Sequence, residues 1–136
     1  MVNNLISIEN ELKIKIKKLN VINYNPKIIA VSKTFSRKDI LPLINYNHIH
    51  FGENKVQEAL EKWIDIKNDF TNIKLHMIGR LQTNKVKYVI PLFDYIHSLD
   101  NLKLAEKISN EQIKKNKKIK LFIQVNIGNE KQKNGV

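Results

Sequence analysis

Cysteine is absent from this 136-residue chain, which removes disulfides, thiolate metal sites and cysteine nucleophiles from consideration. Arginine is nearly absent as well. Of the 24 basic residues only Arg37 and Arg80 are arginines, so the side chain best suited to bidentate phosphate and base contacts is scarce. No apolar stretch approaches the roughly 20 residues that a membrane-spanning helix needs. The N-terminal MVNNLISIENELKIKIKKL carries acids and lacks a compact apolar core with a cleavage site. Glycine/serine-rich linkers and low-complexity tracts are missing too, so residues 1–136 read as one unit. These absences predict a soluble, cytoplasmic protein with no membrane association, and a monomer is expected.

What is present is lysine. The formal charge of +11 would draw the chain toward phosphate-rich partners by counterion release. Lys, Ile and Asn dominate the whole sequence, however, as an AT-rich coding sequence produces, and the charge is not gathered into a motif. No nucleic-acid role is expected. The 42% hydrophobic content is enough for the core of one domain.

Leu5, Ile8, Leu12, Ile16 and Leu19 recur at the spacing of one helical face, which predicts an amphipathic helix packed on the domain. After the turn signal Tyr24-Asn25-Pro26, short apolar runs at 28–31, 49–51, 75–78, 95–97 and 121–125 alternate with amphipathic stretches at 37–44, 55–67, 83–89 and 102–115. Strand and helix in alternation predict a parallel sheet. Ser36 with Asp39 has the form of a capping box, and Asp100 or Asn101 can cap the helix that follows. The basic run Lys114 to Lys120 is expected on a solvated helix end.

Five β units fit in the chain, whereas a closed (β/α)8 barrel needs eight and about 250 residues. An open doubly wound sheet is the alternative from pattern alone. The turn after the first strand, Ser32-Lys33-Thr34-Phe35, lacks the glycines of a dinucleotide site.

In parallel α/β folds the carboxyl ends of the strands point into the site. Those positions are Lys33, Gly52 to Asn54, Gly79-Arg80, Ser98 to Asp100, and Asn126. Lys33 follows the most apolar strand, where loss of water would favour the uncharged amine that attacks an aldehyde. A chain this rich in lysine also places several at strand ends by chance. His48 and His50 share a strand face, but no third metal ligand is evident and no metal is expected. His76 and His97 lie within strands, where a hydrogen-bonded core histidine is the common outcome. Glu53 and Glu58 are read as acids favoured by a helix start, without a catalytic role.

Five blocks, IIAVSKTF (28–35), FGENKVQEAL (51–60), LHMIGRLQTNK (75–85), IHSLD (96–100) and QVNIGNEKQKNG (124–135), together resemble the pyridoxal phosphate homeostasis proteins, the YggS/PROSC family. The resemblance implies a TIM-barrel-type fold like the N-terminal domain of alanine racemase, of which this chain holds about the first five β/α units after an N-terminal helix. It implies pyridoxal 5′-phosphate held as a Schiff base on Lys33, with Asn54 beside the cofactor and His76 as a further lining residue. It also implies a cofactor carrier or regulator serving pyridoxal-phosphate-dependent client enzymes, with no established reaction of its own. The alternative is an enzyme such as an amino-acid racemase. Racemisation needs a base on each face of the α-carbon, and no tyrosine or histidine stands out as a partner for Lys33.

Two departures from the family bear on this. Many relatives carry a second lysine two residues after the first, where this chain has Phe35. The late serine- and glycine-rich loops that form the phosphate cup, and the C-terminal strands that bear them, fall outside these 136 residues, so weak cofactor retention is expected.

Overall fold

A computed structural model describes residues 1–130 and 132–136. The first segment forms α1 (Val2–Lys18), whose last turn carries Lys15, Lys17 and Lys18 where the helix dipole favours cations. Its apolar stripe is less buried than the spacing suggests. Leu5 is buried and Leu12 and Ile16 are half-buried, but Ile8 and Leu19 face solvent. Burial along the stripe is therefore uneven, full only at Leu5.

Strand and helix then alternate: β1 (Ala30–Val31), α2 (Arg37–Asn45), β2 (His50–Glu53), α3 (Val56–Asp69), β3 (Lys74–Met77), a 3₁₀ turn (Thr83–Lys85) leading into α4 (Val86–Leu92), β4 (Tyr95–Leu99), α5 (Leu102–Lys115) and β5 (Lys120–Ile123). The helix starts follow the capping residues. Asp39 accepts from the Ser36 backbone N–H at 2.9 Å, and Asn101 accepts from the Leu104 N–H at 2.9 Å, each satisfying a donor the helix leaves unpaired. α5 stops where Asn116 turns into the left-handed region at φ 47°. The basic run beyond it is not wholly solvated, contrary to the expectation from sequence. Lys117 folds inward and donates to the carbonyls of Pro91 and Phe93 at 2.8 and 2.9 Å, which ties this loop to the end of α4.

All five strands are parallel, in the order β1-β2-β3-β4-β5. A doubly wound sheet requires a point where strand order reverses, and this order contains none. Ala30, Phe51 and Leu75 are in register, and so are Val31, Gly52, His76 and Tyr95. Residues in register across a parallel sheet share a face, so the two sets define its two sides. The first side packs against the helices: Phe51, Leu75, Met77 and Ile96 meet Trp63 and Ile66 of α3 in a core where each is fully buried. The second side carries Val31, His50, His76, Tyr95, His97 and Phe122 and is partly open, with Val31 47% and Phe122 50% exposed. β5 is exposed along its length and, among the described residues, pairs on one side only.

Candidate functional site

Lys33 lies two residues past the end of β1, close to where the sequence predicts it, but its side chain is exposed. The loss of water expected for an amine at the end of an apolar strand is therefore not met. β1 pairs over only two residues at the edge of the sheet, and Val31 at its end already faces solvent, so nothing among the described residues closes over the amine. Asn54 follows β2, and the two side chains line one open cavity of about 810 Å³. Its walls come from the turn between β1 and α2 and from the N-terminal half of α3, including Arg37, Lys55, Glu58 and Lys62. The backbone here is tightly packed. A Cβ on Gly79, just past β3, would run into the Asn54 carbonyl, so the ends of β2 and β3 approach as only glycine allows.

Most of the cavity's cations are already engaged. Arg37 pairs with Asp69 at 2.7 Å, Lys55 with Glu58 at 2.6 Å and Lys62 with Glu53 at 2.9 Å. The N-terminus of α2 is capped by the Asp39 carboxylate, which hydrogen bonding to Ser36 holds below the usual carboxylate range. Lys33 has no carboxylate partner among the described residues. The cavity thus offers an amine and an amide to a small ligand, with little positive charge left for an anion.

Behind Lys33 lies a buried polar knot. Glu53, at the end of β2, is fully buried, and its Oε1 accepts from Ser32 Oγ at 2.8 Å, Lys62 Nζ at 2.9 Å and Trp63 Nε1 at 2.9 Å. Lys62 also donates to the Ser32 carbonyl at 2.6 Å. Glu53 is therefore a strand residue facing α3, not an acid at a helix start.

His76 does not join Lys33 and Asn54 in the cavity. It sits on the open face of β3, where its two ring nitrogens bond to His50 Nδ1 at 3.0 Å and His97 Nε2 at 2.9 Å. Three imidazoles thus form a chain across β2, β3 and β4. A neutral imidazole has one donor and one acceptor, so His76 gives one of these bonds and receives the other. Tyr95 stacks on His76 at 4.2 Å, and Phe122 on His97 at 4.5 Å. Burial, reinforced by the flanking His97 and His50, pushes His76 down to about 4. Burial lowers His50 and His97 as well. His48 turns its Nε2 onto the His50 carbonyl at 2.8 Å, so the two rings do not converge on a common point.

Of the remaining strand-end positions, Arg80 is exposed, Ser98 is buried with its Oγ unpartnered among the described residues, and Asn126 closes a local turn with the Glu130 backbone. Sequence reasoning missed the Glu53 knot and the histidine chain. The signal for the knot was alternation, since Glu53 stands two residues from the buried Phe51 and so shares its face. The signal for the chain was recurrence, since His50, His76 and His97 lie in three successive strands.

No family profile matches the chain. Among curated relatives, the pyridoxal phosphate homeostasis protein of Haemophilus influenzae is 33% identical over 133 residues, covering 98% of this chain and 56% of the relative. That of Aquifex aeolicus is 41% identical over 110 residues, covering 81% and 47%. The solved structure of PipY from Synechococcus elongatus with pyridoxal phosphate bound superposes with a TM-score of 0.71 at 34% identity, over 77% of this chain and 50% of that one. Without the cofactor, PipY gives a TM-score of 0.74 at 36% identity, over 79% and 49%. The chain spans about half the length of the curated relatives it matches. Across that span, the chain is similar to the pyridoxal phosphate homeostasis proteins and to PipY.

Proposed function

We propose that this chain is the cofactor-bearing portion of a non-enzymatic pyridoxal 5′-phosphate carrier, with Lys33 as the amine that holds the cofactor and Asn54 beside it. The observation that carries this reading is the meeting of Lys33 and Asn54, from the ends of two adjacent parallel strands, in one cavity of about 810 Å³. The names of the relatives and the cofactor bound in PipY support the choice of ligand. The consecutive parallel strand order supports a (β/α)8 barrel, of which β1 to β5 would be the first five strands. In that role the protein acts in the cytoplasm as a monomer and serves enzymes that depend on the cofactor.

The donor set fits the cofactor's aldehyde end. When bound, the group supplies an aldehyde carbon to which an uncharged lysine amine adds reversibly, with loss of water, to give a Schiff base. Lys33 is the amine, and the Asn54 amide can donate to the phenolic oxygen. The phosphate end is less well served, because Arg37, Lys55 and Lys62 are paired and Asp39 occupies the start of α2. The phosphate would need donors beyond those that line this cavity. His76 lines the open face of the sheet and reaches the ligand only if that face closes around it.

The test is to add pyridoxal 5′-phosphate, reduce with borohydride and map the modified peptides. Lys33 should be labelled in preference to exposed lysines, and Lys33→Ala should abolish the preferred label and its absorbance band. Labelling spread evenly over the lysines would refute the proposal.

A further inference from the structure

The first strand is the least secured in the sheet. Its pairing covers Ala30 and Val31 on one side, and one further backbone bond, from Ser32 N–H to the Gly52 carbonyl at 3.0 Å, extends it. A two-residue edge strand with so few bonds should fray, and a lysine at its end would wander with it. Residue 32 is instead gripped from two other elements. Its hydroxyl donates to Glu53 of β2 and its carbonyl accepts from Lys62 of α3, while Glu53 also accepts from Lys62 and from Trp63. All three of the polar groups offered by Ser32 are thus satisfied, immediately before Lys33.

The chemistry of the grip matters. Glu53 has no exposure and the Lys62 side chain has 11%, so the pair forgoes most of its hydration. Apolar side chains of similar volume would hold β2 to α3 at least as well. What they could not do is seize a carbonyl and a hydroxyl at one residue of a third element. An ammonium with three donors and a carboxylate that accepts only are suited to that task.

We infer that Lys62 and Glu53 are a positioning pair that fixes the backbone at Ser32 and so sets where the Lys33 amine stands. This rests on the reading of Lys33 as the cofactor-holding amine. Lys62 borders the same cavity as Lys33, yet its two bonds commit it to Ser32 and Glu53, so it acts through Lys33's backbone and is not a second amine for the aldehyde.

The experiment uses the intact chain with pyridoxal 5′-phosphate and borohydride, and reads the ratio of label on Lys33 to label on the exposed Lys118 in one digest, across pH. Lys62→Met keeps the aliphatic stem and removes the donors, Lys62→Arg restores charge and donors, and Ser32→Ala removes one bond at the receiving end. Circular dichroism and the emission of Trp63 establish that each variant is folded, and the milder Ser32→Ala tests the same grip should Lys62→Met be unfolded. The expected result is a fall in the ratio of about three- to tenfold for Lys62→Met, a smaller fall for Ser32→Ala, and recovery in Lys62→Arg. A folded variant that labels Lys33 as selectively as the parent, with the same pH profile, overturns the positioning role and leaves Lys33 as the holder intact. A parent chain with no preference for Lys33 removes both.

Discussion

Acid should weaken this fold well before its carboxylates begin to titrate, and His76 is the reason. Its ring is 4% exposed, wedged between His50 and His97 and stacked on Tyr95. Folding lowers it from 6.5 to about 4, so the unfolded chain binds a proton at this site that the folded chain refuses. Stability is then full above pH 6.5 and declines as pH falls toward 4. For that single site the loss between pH 7 and pH 5 works out at about 2 kcal/mol. That corresponds to a shift of about 1 M in a urea midpoint for a chain of this size. His50 and His97, lowered in the same sense, add to the slope. Asp94, with burial opposed by its bonds to Lys67 and the Leu75 N–H, is held below 3.8 and contributes only under more acid conditions. Urea unfolding of the parent and His76→Phe at pH 7 and pH 5, followed by far-UV circular dichroism, separates the contributions. The parent should lose stability on acidification, and the variant should lose about 2 kcal/mol less. Equal losses in the two proteins would show that His76 is not the source.

Two further outcomes follow from local geometry. Asn101→Ala removes the acceptor for the Leu104 N–H and should cost about 1 kcal/mol, seen as a fall of a few degrees in the calorimetric midpoint, whereas the same change at the exposed Asn110 should cost much less. Gly79→Ala places a methyl against the Asn54 carbonyl and should destabilise the chain by about 1–3 kcal/mol, with a chemical-shift change at Asn54 in amide spectra. A neutral Gly79→Ala would mean that the ends of β2 and β3 are not in contact.

The alternation of strands and helices was legible because a parallel sheet writes it plainly: apolar runs for the strands, amphipathic stretches and caps for the helices. Ser36, Asp39 and Asn101 mark helix starts through bonds that span only three residues, and such short-range chemistry survives in the sequence. Lengths were less legible. The run at 28–31 narrows to Ala30–Val31 in the sheet, since this edge strand pairs, among the described residues, on one side only. Lys33 and Asn54 were singled out through strand-end position and the family blocks, and both line one cavity. The exposure of Lys33 was not foreseen, because it depends on what fails to cover β1. Glu53 was misplaced by one element. Its partners Ser32, Lys62 and Trp63 come from two other elements, and only the register of β1, β2 and α3 brings them to it. The chain of His50, His76 and His97 went unread because the bonds between them cross strands.

The consecutive strand order also governs how the chain can assemble. Ala30 pairs with Phe51, Phe51 with Leu75, His76 with Tyr95 and Tyr95 with Lys120, so each strand finds its neighbour after a short, similar length of chain. Each closure then costs a comparable, modest loop entropy, and no strand must wait for one made much later. A nascent chain emerging from the N-terminus can therefore add its strands one by one. By the time Trp63 has emerged, every member of the knot beneath Lys33 is already present, so the anchorage of that lysine is complete before the histidine chain on the opposite face has its second link.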